Sequence, residues 1–346
     1  MKIIELHEAV WQKLMARRNG LPHALLLCGQ PGIGKFDLAV ALAASLLCER
    51  LRDSGEACGQ CLACGWLVQG NHPDLRLLQP ASVASVPGPD GERDDSAGAR
   101  KPSQQITIDQ VRALDDFLHV GTHRHGARLV LLNPADAMNR ATANALLKAL
   151  EEPIANTLFI LVSSDPYRLL PTIRSRCQML SVPLPPRAAS AAWLLDAGVP
   201  EPDDWLALAA GAPLLALALS SSGERVLLDA LLDEVRGGGG VDPLASAAAL
   251  ERVIRTEKRP APLKRLLGWA QKWLFDLHLA TEALPPRYFL RQAAVLQGLA
   301  KGTDSRRILA FSRKALQYKA QCEQPLNNRL FLEDFFLGYA RIFRST

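Results

Sequence analysis

Long apolar runs are what this 346-residue sequence most plainly lacks. No uninterrupted apolar stretch approaches the roughly 18 residues that a membrane span needs, and residues 1–8 show no long apolar run behind a basic start. The expectation is a cytoplasmic protein without a membrane segment. A strong overall charge is lacking too, because 40 basic residues against 35 acidic ones leave +5. That sum hides a division. Residues 251–346 hold 18 Lys and Arg against 8 Asp and Glu, or +10, which leaves −5 for the first 250. A basic C-terminal third is compatible with nucleic acid or an acidic partner, although solvated helix faces are the commoner cause. The length allows two or three domains with their own cores, and the 48% apolar share is that of a globular chain.

Other absences are local and chemical. Residues 24–28, Ala-Leu-Leu-Leu-Cys, read as a buried strand running into Gly29-Gln-Pro-Gly32-Ile-Gly34-Lys35, and residues 37–47 follow with helical apolar spacing. Strand, glycine loop and helix in this order make a phosphate loop. Glycines let successive N–H groups turn toward a polyphosphate at a helix N-terminus, and Lys35 adds a point charge near the β and γ phosphates. Gly29, Gly32, Gly34 and Lys35 are therefore candidate nucleotide-binding residues. The hydroxyl that should come next to hold Mg²⁺ is missing, and Phe36 cannot coordinate a hard cation. A second loss falls at the end of the apolar strand 128–132. There a hydrolysing enzyme places an acidic pair for Mg²⁺ and the attacking water, and this chain has Asn133 and Pro134. Asp136 stands far enough along to be a poor substitute, though the one alternative in that role. Two magnesium-linked positions lost together argue against hydrolysis. The glycine loop is better kept than that loss requires, so weak nucleotide binding without turnover stays open.

Cysteine is concentrated where the phosphate-loop helix ends. Cys48 closes that helix, and Cys58-Gly-Gln-Cys61-Leu-Ala-Cys64 follows as two C-x₂-C steps sharing a middle cysteine. Four thiolates at this spacing can surround a tetrahedral Zn²⁺ and leave no open position, so the expected metal is structural. Disulfides are the less expected use in a cytosolic chain. Free or redox-active thiols, and His72 replacing Cys48 as fourth ligand, are the alternatives. Cys28, Cys177 and Cys322 are isolated. His119, His123 and His125 share no helical face with carboxylates, which argues against a metal or proton-relay role for them.

Along the chain, residues 3–17 have helical spacing, 75–78 read as a strand, and 81–104 turn to Ser, Gly, Pro and charge without periodicity, a mobile loop. Asp109 is placed to cap a helix through Leu118. Residues 139–152 form an Ala- and Leu-rich helix, and 157–162 a third buried strand ending in Ser163 and Ser164. Alternating helices and parallel-type strands predict a doubly wound α/β sheet with helices on both faces. After 182–186 come three short helices at 188–197, 202–210 and 213–219, and from Leu244 the chain reads as helical throughout, with Leu266, Trp269, Trp273 and Leu277 on one stripe. Taken alone, Arg174 and Arg176 are surface arginines.

The glycine loop, the cysteine cluster, Asn144-Ala-Leu-Leu-Lys-Ala-Leu-Glu-Glu-Pro153 and Ser175-Arg-Cys177 stand here in the order and spacing of the bacterial clamp-loader AAA+ subunits, over roughly residues 1–220. The resemblance implies an AAA+ P-loop α/β domain at 1–182, carrying the zinc module at 48–64, then a small helical lid at 183–221 and an all-α collar at 222–346. Missing hydroxyl and acids resemble the non-hydrolysing members, not the ATP-hydrolysing gamma or tau subunits. Gly211-Ala-Pro-Leu214, near the last lid helix, also lacks the arginine that touches nucleotide in motor members. By the same resemblance, Arg176 is an arginine finger aimed across a subunit boundary at a neighbour's ATP. The implied partners are gamma or tau and delta subunits in a hetero-oligomer, the sliding clamp, and primed DNA reached through the complex. Two rivals stand beside this reading. One is an autonomous P-loop ATPase using Lys35 and an unconventional Mg²⁺ ligand. The other is a zinc-dependent DNA-binding module, disfavoured because the cysteine cluster lacks interleaved basic and aromatic residues.

Overall fold

Five parallel strands carry the first half of the chain: β1 (Ala24–Cys28), β2 (Leu75–Leu78), β3 (Arg128–Leu132), β4 (Thr157–Ser163) and β5 (Gln178–Ser181), in spatial order β2-β3-β4-β1-β5. The computed structural model describes residues 3–83, 103–119, 126–322 and 327–343. Most of the 81–104 loop, and His123 and His125, lie outside them. The three central strands are buried at every position, as the continuous apolar runs require of a parallel sheet covered on both faces. Alternation along β1 divides the layers. Leu26, Val130, Phe159 and Leu161 share a core with Val111 and Leu114 of the helix Ile108–His119 and Leu146 and Leu150 of the helix Arg140–Glu151. The helix Lys35–Leu47 buries Leu38 and Leu42 outside that cluster, against the opposite face. In register, Leu26 lies between Leu161 of β4 and Met179 of β5.

Several local expectations are corrected. The N-terminal helix breaks at His7 into Ile3–Leu6 and Glu8–Ala16, and the His7 ring is buried beneath the phosphate loop. Asp109 is not the cap of its helix. Thr107 and Gln110 form a reciprocal capping box, with Gln110 Oε1 accepting from the Thr107 N–H at 2.9 Å and Thr107 Oγ1 accepting from the Gln110 N–H at 3.4 Å. Strand β5 has no sequence signature, because as an edge strand it exposes Gln178, Met179 and Ser181.

The chain divides into two compact units, 1–186 and 187–346. The second is helical, and one apolar cluster runs through it from Leu194 to Ile342. The helices Arg187–Asp196, Pro202–Leu208 and Pro213–Ser221 therefore share a core with the later helices instead of enclosing one of their own. Among the described residues no single helix is long and apolar enough to cross a membrane. Helical character is not continuous to the end either, since the segment between Thr281 and Leu290 is irregular.

The axis of this unit is the helix Pro262–Thr281, which buries the whole stripe of Leu266, Trp269, Trp273 and Leu277. Trp273 Nε1 donates to the Tyr339 hydroxyl at 2.9 Å, and Tyr339 donates on to the Val235 carbonyl at 2.7 Å. Asp276, fully buried, accepts the N–H groups of Arg287, Tyr288 and Phe289 at 2.7–2.9 Å and so organises the irregular segment. Asp276→Ala is expected to lower the stability of this unit by about 3 kcal/mol, since it leaves the buried Phe289 N–H and two part-buried ones without their acceptor and one buried donor left unsatisfied costs about 1–3 kcal/mol. Urea unfolding followed by tryptophan fluorescence measures it, and a change under about 1 kcal/mol would mean that the segment holds without Asp276.

Candidate functional site

The site is built at the C-terminal ends of β1, β3 and β4. Leaving β1, the chain turns through Gly32 at φ 76° and Gly34 at φ 93°, left-handed conformations that side-chain-bearing residues rarely adopt, and the helix begins at Lys35. Gly29 is needed for another reason: a Cβ there would lie 2.5 Å from the Val182 carbonyl oxygen. The loop is pinned from below by His7, whose Nε2 donates to the Ile33 carbonyl at 2.6 Å. Burial pulls the His7 pKa below its usual value, which favours this neutral donor.

Lys35 is the most telling residue. It is only 5% exposed, and its ammonium donates to the Gln30 carbonyl at 2.7 Å and to Ser164 Oγ at 3.0 Å. Burial lowers its pKa, and the Asp136 carboxylate opposes that shift. Asp136 follows β3 and is itself held across the site, accepting from Ser163 Oγ at 2.7 Å and from the Ser164 N–H at 3.2 Å. Thus the lysine charge is already stabilised by two oxygen acceptors and a nearby carboxylate within the chain. Sequence spacing sets Asp136 aside, yet the short turn after β3 brings it to the rim of the loop. Ser164 is 129 positions from Lys35, and no local pattern connects the two.

Arg174 and Arg176 occupy different surroundings at the end of the short helix Pro171–Arg174. Arg174 lies over the Tyr167 ring, 4.7 Å from its centroid. Arg176 forms an ion pair with Glu151 at 2.7 Å and also donates to the Thr172 carbonyl at 3.0 Å. Glu151 belongs to the Asn144–Pro153 stretch, so the two most distinctive stretches of the sequence meet here. The pair is partly solvated, with the arginine side chain 35% exposed.

The fourth feature is the cysteine cluster at the far end of the phosphate-loop helix. The sulfurs of Cys48, Cys58, Cys61 and Cys64 all lie within 4.8 Å of one another, with three pairs at 3.7–3.9 Å. A tetrahedron of sulfurs at about 2.3 Å from one ion has edges of about 3.8 Å, so the donor set matches Zn²⁺ in number, type and spacing. Backbone N–H groups point at the sulfurs: Cys58 to Cys48, Gln60 and Cys61 to Cys58, and Cys64 to Cys61, at 3.2–3.4 Å. The Gln60 and Cys61 donors pull the Cys58 thiol down to about 6, while burial pushes Cys64 up to about 12. A bound dication favours the thiolate at all four. His72 is not part of this set. Its Nδ1 accepts from the Asp74 N–H and its ring stands edge-on to Trp66.

Comparison with known proteins agrees with this arrangement. The family described as DNA polymerase III, delta subunit, matches residues 7–185. A subunit delta' of DNA polymerase III from Pseudomonas aeruginosa is 35% identical over 343 residues, 97% of this chain and 96% of that protein. The Escherichia coli subunit delta' is 36% identical over 200 residues, covering 57% of this chain and 54% of that protein. A tau subunit from the same organism is 31% identical over 169 residues, 47% of this chain and 23% of that protein. The parallel sheet, phosphate loop and helical second unit are those of an AAA+ domain followed by a helical C-terminal part. With relatedness at this level along nearly its whole length, the chain belongs to the delta-prime subunits of DNA polymerase III.

Proposed function

We propose that this chain is a non-hydrolysing subunit of a cytoplasmic clamp loader. It would help open the sliding clamp and place it on primed DNA, beside gamma or tau and delta subunits. The observation that carries the reading is the phosphate loop itself, which keeps its glycines and Lys35 but has Phe36 where a magnesium-binding hydroxyl belongs. Asn133 and Pro134 in place of an acidic pair, and the internal partners of Lys35, support it. In this reading the loop holds nucleotide weakly or not at all, residues 183–221 act as the lid, and residues 222–346 form the collar through which the subunits associate. Arg176 serves as an arginine finger in trans. A finger stabilises charge on a phosphoryl group held by another subunit and needs no nucleotide in its own domain. Zinc held by Cys48, Cys58, Cys61 and Cys64 is structural.

The test is ATP hydrolysis by the purified protein, first alone and then mixed with a motor subunit, clamp and primed DNA. No turnover alone with turnover in the mixture is expected. Hydrolysis by the isolated chain would favour the autonomous ATPase, with Asp136 as the first residue to suspect. Lys35→Ala separates the two readings directly. In the reconstituted complex it is expected to change ATP turnover by less than about twofold, because its site is not one that hydrolyses. A collapse of turnover would place catalysis in this chain.

A further inference from the structure

In the helical unit, a cavity of about 480 Å³ opens between the helices Pro213–Ser221, Pro262–Thr281 and Ser305–Gln321. Its size falls in the range of about 300–1,000 Å³ typical of small-ligand sites. The walls are apolar, from Leu215, Leu219, Phe275 and the rings of Trp269 and Tyr288. The charges within it do not balance. Glu224 is the one carboxylate among the lining residues, set against Arg265, Lys272 and Lys319, which leaves +2.

Glu224 is also fully engaged. One oxygen accepts Trp269 Nε1 at 2.7 Å, and the other pairs with Arg259 at 2.8 Å and Arg265 at 3.2 Å. Lys272 and Lys319 form no ion pair among the described residues. The Lys272 ammonium donates to the Leu208 carbonyl at 2.6 Å and lies over the rings of Trp269 and Tyr288, 4.3 and 5.4 Å from their centroids. Among the described residues Lys319 donates to the Gln271 side chain, at 3.3 Å. Burial, and next the Lys319 ammonium, push Lys272 down to about 8 against the opposing pull of the Glu224 carboxylate, so it stays mostly charged at neutral pH beside a like charge. Two neighbouring cations in an apolar cavity, neither in an ion pair among the described residues and with only the already shared Glu224 carboxylate acting on Lys272, are the inverse image of an anionic ligand with an apolar body.

We propose that this cavity binds the acidic, apolar end of a peptide, with a carboxylate between Lys272 and Lys319 and a bulky apolar side chain against Leu215, Leu219 and Phe275. A peptide fits better than a nucleic acid. Reading a base requires free donors and acceptors, and the one amide in the cavity, Gln271, is already committed to Lys319 and to the Ala315 carbonyl. Two lysines in one pocket also do not make a track for successive phosphates. The site is independent of the phosphate loop and of Arg176.

The experiment is calorimetric titration of the full-length protein with N-acetyl-Leu-Phe-Asp. Its uncharged counterpart, N-acetyl-Leu-Phe-Asn amide, and a ten-residue oligothymidylate are titrated in parallel. Saturable binding of the acidic peptide is expected, with the amide at least about tenfold weaker, because a hydrogen bond to a charged group is worth about 1.5–3 kcal/mol. Lys319→Gln should weaken the acidic peptide by a similar factor, and this partly exposed residue can be changed without disturbing the core. Lys272→Gln should do the same in a variant whose thermal melt shows it folded. Equal binding of peptide and amide, or affinity unchanged in Lys319→Gln, would overturn the proposal. Binding of the oligothymidylate that depends on both lysines, with none of the peptide, would overturn it in favour of a nucleic-acid site.

Discussion

In the proposed finger role, replacing Arg176 by alanine is expected to reduce ATP turnover at the neighbouring site by about three orders of magnitude, the lower end of what an arginine finger contributes. That is about 4 kcal/mol of transition-state stabilisation. The contact that holds the guanidinium in the isolated chain is small beside it. The pair with Glu151 is partly exposed on both sides, and solvated pairs of this kind are worth about 0–1 kcal/mol, so release of Arg176 from Glu151 costs little. Arg176→Lys should recover only part of the loss, since an ammonium keeps the charge without the planar fork that meets phosphate oxygens two at a time. Assembly should survive both substitutions, because Arg176 contributes nothing to the apolar core. The measurement is steady-state ATPase of the reconstituted complex together with size-exclusion chromatography of the same samples. An unchanged rate in an intact complex would remove the finger assignment. A complex that fails to assemble would move Arg176 from chemistry to architecture.

The parts of this molecule that could be read in advance are those with a local physical cause. Buried parallel strands are continuous apolar runs, so β1, β3 and β4 are visible, and two overlapping C-x₂-C steps with Cys48 before them announce four sulfurs around a point. What escapes the sequence depends on chain crossing. Strand β5 is set by its register with Leu25–Cys28 and not by its own exposed residues. The Ser164 partner of Lys35, the His7 prop beneath Ile33 and the Glu151 contact of Arg176 all join elements far apart in the chain. Asp109 misleads because an acidic residue suits both the cap and the first turn of a helix, and only the backbone reveals that Thr107 holds the cap. The division of the helical unit is a similar case. Helix-breaking Gly198-Val-Pro200 and Gly211 separate helices but not cores, and one apolar cluster passes across them.

Loss of one cysteine ligand should be felt locally and strongly. Purified protein is expected to hold about one equivalent of zinc, and less than about half would count against the site. Cys64→Ser should abolish stoichiometric metal, because Cys64 sits in the first turn of the helix Leu62–Val68 and is buried among the other three sulfurs. Binding of structural zinc is worth about 10–16 kcal/mol in small peptides, far more than residues 48–68 can obtain from their few buried side chains. What ties this module down besides metal is limited. Trp11 Nε1 donates to the Ser54 carbonyl at 2.9 Å, Ser45 Oγ donates to the Gly55 carbonyl at 2.7 Å, and the Gly55 backbone lies close against Met15. Hydrogen exchange should therefore lose protection over 48–68 on chelation or in Cys64→Ser, while β1, β3 and β4 keep theirs. Intact protection after complete removal of metal would show that packing alone forms the module. Global loss would mean that the phosphate-loop helix, which ends at Cys48, depends on zinc along its whole length.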